Sequence, residues 1–113
     1  MHEIGIAADL SDIVLAAAGK ENLARVTKVS ISIGRMVQIV PEIFEFAFRE
    51  AVRGSVAADA ELDIGIVEIG MSCNICGNEF RPDENLCRCN VCNSDNVEII
   101  HGKELFIQSI EGE

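Results

Sequence analysis

The stretch CNICGNEFRPDENLCRCNVC, residues 73–92, contains all five cysteines of the 113-residue chain. Two Cys-x2-Cys pairs, Cys73 with Cys76 and Cys89 with Cys92, are separated by twelve residues. Each pair predicts a tight backbone turn, here termed a knuckle, that aims two sulfur atoms at one point. Two knuckles form the tetrahedral four-sulfur cage that zinc prefers. The spacing therefore predicts a metal site that organises this part of the fold.

The residues around the knuckles support this prediction. Gly77 follows the first pair and Asn93 the second, and both residue types readily adopt the left-handed conformation that closes such a turn. The large apolar side chains of the segment are only four: Ile75, Phe80, Leu86 and Val91. These side chains are too few to fold the segment, so a bound metal must stabilise it. Structural zinc contributes about 10–16 kcal/mol to the folding of small peptides. Four thiolates fill the coordination sphere, which favours a structural site over a catalytic one.

Two alternatives stay open at this cage. Cys87 is left over, and we interpret it as a buried or free thiol. It could replace Cys89 as a ligand, although that spacing breaks the second knuckle. Iron also accepts a sulfur cage, but the segment lacks the surrounding layer of aromatic residues expected to shield a redox centre.

The charge of the chain limits its partners. Nineteen acidic and nine basic side chains give a net charge of -10, which repels nucleic acids and anionic membranes. No stretch approaches the roughly 18 apolar residues of a membrane span, and no secretory signal is recognisable. We expect a cytoplasmic protein that binds proteins or cations, with no nucleic acid and no membrane. Cysteine crowding in a reducing compartment also favours metal over disulfides.

The rest of the chain predicts two helices. Apolar residues recur at every third or fourth position over residues 4–18, as on the buried face of a helix. That face consists of Ile4, Ala7, Leu10, Ile13, Val14 and Ala17. A second helix over residues 41–53 opens with Pro41 and Glu42, which suit a helix start. It is expected to bury Phe44, Ala47, Phe48, Ala51 and Val52.

Strands are predicted between and after these helices. Residues 28–33 alternate as in a half-buried strand, and residues 61–69 alternate with a phase shift at Val67 that indicates a bulge or bend. Residues 97–100 and 104–110 predict two strands that flank a His101-Gly102 turn. We therefore predict an α+β fold: a small, mainly three-stranded sheet with two helices on one face, interrupted by a four-cysteine, zinc-ribbon-like insert.

The first three residues, Met1-His2-Glu3, suggest a second metal site. A lone histidine near a terminus is usually only solvated. At position 2, however, the Met1 amine, the deprotonated peptide nitrogen of His2 and its Nδ1 atom can surround one ion in a plane. Square-planar nitrogen sites suit Ni(II) or Cu(II). The fourth donor is open: the Glu3 carboxylate or peptide nitrogen, a partner's ligand, or His101.

An incompletely filled site at a chain end can release its metal, which suits a carrier rather than an enzyme. The chain contains no Gly-rich phosphate loop with Lys and Ser/Thr, no Gly-x-Ser-x-Gly and no His-Glu-x-x-His motif. We therefore predict that it is not an enzyme. A zinc-ribbon interaction module or nucleic-acid-binding module, in which His2 is incidental, is the alternative.

Several motifs together resemble the HypA/HybF family of hydrogenase nickel-incorporation proteins. These are Met1-His2-Glu3, Ile33-Gly34, Pro41-Glu42, the two knuckles and Gly102-x-Glu104-Leu105. The resemblance implies a nickel metallochaperone in which residues 1–70 plus 101–113 bind nickel and residues 71–100 bind zinc. It assigns nickel to His2, with Glu3 supporting that site and its metal selectivity, and zinc to Cys73, Cys76, Cys89 and Cys92. The chelate chemistry of the first peptide bond adds the Met1 amine as a nickel ligand.

The resemblance also implies partners. The family delivers Ni(II) to the precursor of the [NiFe]-hydrogenase large subunit together with the GTPase HypB, and some members serve urease maturation. A homodimer is a further open possibility. Two departures concern the second knuckle: Asn90 stands where proline is common, and Cys87 stands where an apolar residue is usual.

Overall fold

The computed structural model describes residues 2–82 and 88–113, with His2 described by its backbone only. The chain forms two compact units. Unit 1 consists of Met1–Ser32, Ile39–Gly65 and Leu105–Glu113, and unit 2 consists of Ile33–Gln38 and Ile66–Glu104. The predicted division of nickel and zinc binding between residues 1–70 plus 101–113 and residues 71–100 stays a prediction.

Two helices and six strands make up the described chain, together with one short 3-10 turn. In chain order they are α1 (His2–Lys20), β1 (Val26–Gly34), the 3-10 turn (Arg35–Val37), α2 (Pro41–Ala51), β2 (Glu61–Val67), β3 (Gly70–Cys73), β4 (Glu79–Phe80), β5 (Val97–His101) and β6 (Leu105–Gly112). The predicted α+β class is confirmed. Within the described ranges, neither helix combines the length and apolar character needed to cross a membrane.

Unit 1 contains both helices and most of a three-stranded sheet of order β2-β1-β6. Helix α1 packs against α2 and also contacts β6. The rings of Phe44 and Phe48 lie 6.1 Å apart by their centroids, and both side chains are buried. The remaining core residues of this unit are aliphatic: Ala7, Leu10, Val14, Ala18, Val26, Val29, Ile31, Val52, Ala57 and Ala60.

The buried face of α1 differs from the predicted one. Ile4 and Ile13 are 56% and 53% exposed, whereas Glu3 and Ser11 are buried. The Ser11 hydroxyl donates to the Ala8 carbonyl at 2.8 Å, and the Glu3 carboxylate accepts the backbone N–H of Val40 at 3.1 Å, so both buried polar groups are hydrogen-bonded. The stripe is therefore rotated towards Glu3 and Ser11, and the two isoleucines lie outside it.

The buried face of α2 is narrower than predicted. Phe44, Phe48 and Val52 are buried, but Ala51 is exposed and Ala47 is only half-buried. The helix ends at Ala51, before the predicted end at residue 53, and Val52 follows as its C-terminal cap. Ala51 therefore sits in the last, solvent-facing turn.

Unit 2 contains a second three-stranded sheet, of order β4-β3-β5, in which both pairs are antiparallel. Met71 of β3 lies opposite Phe80 on one side and Ile99 on the other. The single bulged strand predicted over residues 61–69 is wrong in detail. Strand β2 ends at Val67, and β3 starts a different sheet at Gly70. The phase shift marks this change of sheet.

The predicted turn at His101-Gly102 exists, but it does not close a hairpin. Strand β5 pairs with β3, whereas β6 pairs with β1, so the turn joins two sheets. Gly102 adopts a φ of 109°, which is unfavourable for residues with a side chain.

Residues 33–38 pack with residues far along the chain in unit 2. The backbone N–H of Gly34 donates to the Glu104 carbonyl at 2.6 Å, and that of Met36 donates to the Gly102 carbonyl at 2.8 Å. A Cβ atom at Gly34 would lie 2.0 Å from the Gly102 carbonyl oxygen. Glycine at position 34 is therefore required by this close backbone crossing.

Candidate metal centre

The two knuckles fold with the same backbone pattern. In the first, Cys73 donates its N–H to the Asn78 carbonyl at 2.8 Å, and Gly77 donates to the Cys73 carbonyl at 3.0 Å. In the second, the matching bonds run from Cys89 to Ser94 at 2.9 Å and from Asn93 to Cys89 at 3.0 Å. Gly77 and Asn93 have φ values of 77° and 62°. The predicted left-handed closure of both turns is confirmed.

The four cysteines of the knuckles meet at one point. Their Sγ atoms all lie within 4.8 Å of one another. Cys73 and Cys92 are 3.5 Å apart, as are Cys76 and Cys89. A tetrahedral zinc site with bonds of about 2.3 Å places its sulfur atoms about 3.8 Å apart. The donor set and its spacing therefore fit one tetrahedral cation of this size.

The four sulfur atoms have unequal surroundings. Cys73 and Cys89 are each 2% exposed, whereas Cys76 and Cys92 are exposed. The Cys73 sulfur accepts the N–H groups of Ile75 at 3.4 Å and Cys76 at 3.5 Å. Each knuckle thus has one buried first cysteine and one exposed second cysteine.

The Cys89 sulfur repeats this pattern with one addition. It accepts the N–H groups of Val91 at 3.4 Å and Cys92 at 3.5 Å. The Asn78 amide also donates to it at 3.7 Å, and donates to the Asn90 side chain at 2.7 Å. Sequence reasoning missed Asn78, which lies outside both Cys-x2-Cys pairs and reaches Cys89 from the other knuckle.

These contacts shift the pKa values of Cys89 and Cys92 in opposite directions. For Cys89 the largest effect is the hydrogen bond from the N–H of Cys92. Together with the N–H of Val91 it outweighs burial and lowers the pKa of Cys89 to about 6. For Cys92 the N–H of Ser94 lowers the pKa, but the Cys73 sulfur and burial outweigh it and raise the pKa to about 12. Metal binding must therefore displace protons from the cage, so the affinity for metal depends on pH.

The other predicted site residues lie in different places. Met1, the His2 side chain and Cys87 fall outside the described residues. His101 is exposed in unit 2, where its Nδ1 lies 3.6 Å from Oε2 of Glu104. Among the described residues, the four knuckle cysteines are the one group of three or more His, Cys, Asp or Glu side chains that could hold a metal.

Glu3 has a defined position in unit 1. Its side chain is buried, and Oε2 accepts the backbone N–H of Val40 at 3.1 Å. Val40 is the N-cap residue of α2 and provides no side-chain cap of its own. Glu3 therefore connects the first turn of α1 to the start of α2. Sequence reasoning identified Glu3 as a site residue but not this contact.

An open cleft of about 590 Å³ also lies in unit 2, and none of the four knuckle cysteines lines it. Its lining is mainly apolar, with Glu68 and Arg81 among its charged residues. Glu68 bonds to Arg35 through both carboxylate oxygens, at 3.2 and 2.6 Å. The hydrogen bond from Arg35 lowers the pKa of Glu68. This carboxylate is therefore committed to an ion pair and is not poised as a general base.

Comparison with known proteins identifies the family. The family model described as "Hydrogenase/urease nickel incorporation, metallochaperone, hypA" matches residues 1–112. The hydrogenase maturation factor HypA of Chlorobium luteolum is 38% identical over 110 residues, which are 97% of this chain and 94% of the relative. The HypA of Aquifex aeolicus is 36% identical over 111 residues, covering 98% and 96%.

Two solved structures share the fold. The solution structure of a HypA protein superposes with a TM-score of 0.78 at 29% identity, covering 100% of this chain and 97% of that one. The solution structure of the Ni metallochaperone HypA from Helicobacter pylori gives a TM-score of 0.70 at 28% identity, covering 97% and 96%. The family model, the relatives and the fold agree: this chain belongs to the HypA family of hydrogenase and urease nickel-incorporation metallochaperones.

Proposed function

We propose that the protein is a nickel metallochaperone that binds Ni(II) at its N-terminus and helps insert it into the precursor of the [NiFe]-hydrogenase large subunit. The observation that carries the proposal is the family match over residues 1–112, which includes the Met1-His2-Glu3 start. The ligands are the Met1 amine, the His2 peptide nitrogen and the His2 imidazole, with Glu3 in support.

The start of α1 favours such a site. The helix begins at His2, and the first four N–H groups of a helix have no acceptor within it. The peptide nitrogens of His2 and Glu3 can therefore lose their protons to a metal without breaking a helix hydrogen bond. The Glu3 peptide nitrogen is one candidate for the fourth donor of a square plane.

Electrostatics explain why Glu3 would support the site. A cation is disfavoured at the positive end of a helix. Deprotonated peptide nitrogens and the carboxylate of Glu3 in the first turn offset this repulsion. Because the Glu3 carboxylate already accepts the Val40 N–H, we assign it to anchoring the N-terminal segment rather than to direct coordination.

The four-cysteine cage is proposed to hold Zn(II) as a structural ion. Cys73, Cys76, Cys89 and Cys92 supply four soft donors at distances that fit one tetrahedral ion. Such a cage has no open position for water, so it would supply structural order and not hydrolytic chemistry. Metal analysis of the purified protein distinguishes zinc from iron.

The family description names hydrogenase and urease as the enzymes for which nickel is incorporated. We propose that the chain acts with the GTPase HypB in the cytoplasm and delivers nickel without catalysing a reaction itself. Urease maturation proteins are a second proposed partner class, because the family model names urease as well as hydrogenase. Sedimentation velocity measurements with and without nickel test whether the protein forms a homodimer.

Nickel titration of the protein with an unblocked Met1 tests the carrier function. We expect one Ni(II) per chain, with the absorption spectrum of a square-planar nitrogen site. His2→Ala should abolish this binding, since it removes the imidazole donor. A variant with two residues added before Met1 should also lose it, since the amine no longer forms the chelate ring.

Glu3→Gln is the matched control for the carboxylate. Glutamine keeps an oxygen that can accept the Val40 N–H but loses the negative charge. We expect Ni(II) binding to persist in Glu3→Gln with reduced affinity. Nickel binding that is equal in the wild type and His2→Ala would refute the carrier proposal, as would a nickel spectrum dominated by thiolate donors.

A further inference from the structure

The exposed and buried halves of the cysteine cage differ in access to solvent. Cys73 and Cys89 are 2% exposed, whereas Cys76 and Cys92 face solvent. A reagent dissolved in water therefore reaches the sulfur of the second cysteine of each knuckle first. This inference rests on the zinc cage proposed above and is independent of nickel binding.

Hydrogen bonding strengthens this difference. Each buried sulfur accepts two backbone N–H groups of its own knuckle at 3.4–3.5 Å. An N–H donor withdraws negative charge from the thiolate and stabilises it, so the sulfur attacks electrophiles less readily. The exposed sulfurs of Cys76 and Cys92 each accept one backbone N–H, from Asn78 and Ser94. The buried pair is thus shielded and is the more strongly deactivated of the two.

We propose that Cys76 and Cys92 form the reactive face of the cage, and that hydrogen peroxide or a similar two-electron oxidant attacks there first and opens the cage. The metal site would then also be an oxidation-sensitive site. Each exposed sulfur has a buried partner in the other knuckle at 3.5 Å, Cys73 for Cys92 and Cys89 for Cys76. These partners are placed to complete a disulfide.

The chemistry balances in two steps. Zinc binding requires all four sulfurs as thiolates, so Cys92 is deprotonated in the loaded cage. The Cys92 thiolate attacks one peroxide oxygen, so that an S–O bond forms, the O–O bond breaks and hydroxide leaves and takes up a proton from water. The Cys73 thiolate then attacks the Cys92 sulfur, an S–S bond forms, and the second hydroxide leaves and is protonated. Two thiolates lose two electrons in total, and peroxide is reduced to two waters. The same steps connect Cys76 with Cys89.

The first test is limited alkylation of the zinc-loaded protein. A Cys87→Ser background restricts the signal to the four cage cysteines, and zinc content is measured before labelling. With iodoacetamide well below one equivalent, peptide mass spectrometry should find severalfold more label on Cys76 and Cys92 than on Cys73 and Cys89. Equal labelling, or an excess on the buried pair, would overturn the proposal.

The second test uses peroxide below one equivalent and follows zinc release with a colorimetric chelator. We expect release to match the amount of Cys73–Cys92 and Cys76–Cys89 disulfide. Zinc that stays bound while peroxide is consumed would overturn the proposal. A protein that carries no zinc before treatment would instead refute the zinc assignment under the proposed function, so the two failures are distinguishable.

Two asparagine variants test the role of hydrogen bonding. Asn78→Ala removes the amide that donates to the Cys89 sulfur, whereas Asn74→Ala removes only a bond to the Asn96 side chain at 3.0 Å. We expect the label on Cys89 to rise relative to Cys73 in Asn78→Ala and to stay unchanged in Asn74→Ala. The same rise in both variants would contradict deactivation by hydrogen bonding.

Discussion

The carboxylate of Glu3 accepts the backbone N–H of Val40 at 3.1 Å, a contact between residues 37 positions apart. Val40 is the N-cap of α2, where N–H groups lack helical partners and a negative charge is favourable. Glu3 thus caps a helix other than its own. Glu3 lies two residues after Met1, whose amine is proposed to bind nickel. It is therefore also a structural residue of unit 1.

Removal of this contact should destabilise unit 1. We expect Glu3→Ala to lower the free energy of unfolding by about 1–2 kcal/mol, because the N–H of the helix cap Val40 loses this acceptor. Glu3→Gln should cost less, since the amide oxygen can still accept the N–H. Urea denaturation followed by circular dichroism measures both. Equal losses in the two variants would argue against this hydrogen bond as the cause.

Two phenylalanines of α2 offer a matched test of its packing. Phe48 is buried beside Phe44, whereas Phe46 is 70% exposed. We expect Phe48→Ala to lower the free energy of unfolding by about 3–5 kcal/mol through the cavity that it leaves. Phe46→Ala should change it by less than about 0.5 kcal/mol. Thermal or urea unfolding of both variants checks this, and similar losses would show that the helix is rotated.

Gly34→Ala should strongly destabilise unit 2. The added methyl group would lie 2.0 Å from the Gly102 carbonyl oxygen and 2.6 Å from the Lys103 nitrogen, both of which belong to the backbone. Overpacking of this kind costs about 1–3 kcal/mol or more. Yield of folded protein and urea denaturation are the measurements.

Gly5→Ala is the control for this substitution. Gly5 lies in α1, and a Cβ atom there meets nothing within 4 Å. The same change should therefore stabilise the protein by about 0.5–1 kcal/mol through helix propensity. Destabilisation by Gly5→Ala as large as that by Gly34→Ala would contradict the steric explanation.

Glu104 should make stability depend on pH in the acid range. The N–H groups of Glu104 itself and of Gly102 lower the pKa of its carboxyl below the ordinary value of 4.5. The folded state then binds fewer protons than the unfolded state. The stabilisation is present above pH 4.5 and is lost as the pH falls through the lower folded pKa.

Urea denaturation at decreasing pH, for the wild type and Glu104→Gln, measures this contribution. We expect the difference in stability between the two proteins to shrink as the pH falls below 4.5. A difference that stays constant over this range would contradict a contribution from the ionised carboxylate.

Removal of metal should unfold unit 2 before unit 1. A bound cation ties the end of β3 to the second knuckle, and its removal breaks this link. Unit 1 does not depend on the link, because it has its own apolar core. Addition of a strong chelator should remove the NMR signals of β3 and β5 and leave those of α1 and α2. Zinc added back should restore them. Simultaneous loss of the helix signals would contradict this order.

Local sequence signals predicted much of the fold and of the cage. The knuckles depend on spacing within a few residues and on Gly77 and Asn93, whose left-handed conformations the structure confirms. Helix α2 starts at Pro41 as predicted. Both features are determined by neighbours in the chain, so a single sequence contains the information.

Contacts between distant residues were not predictable in this way. The alternation from residue 61 onward reads as one strand, because a single sequence does not show that β2 and β3 pair in different sheets. Ile4 and Ile13 were expected inside, because hydrophobicity alone ranked them above Glu3 and Ser11. The buried carboxylate of Glu3 accepts an N–H from Val40, a residue far along the chain, and a single sequence does not show this contact.

The cage lies within the connection from the end of β2 at Val67 to the start of β6 at Leu105. Closing a loop costs more entropy as it lengthens, by about 0.6 kcal/mol for each doubling. A cation bound by both Cys73 and Cys92 holds these residues together and shortens the effective length of this loop by roughly half. Early metal loading would therefore lower the entropic barrier to docking β6 beside β1, and the ion would speed the folding of a sheet that belongs to the other unit.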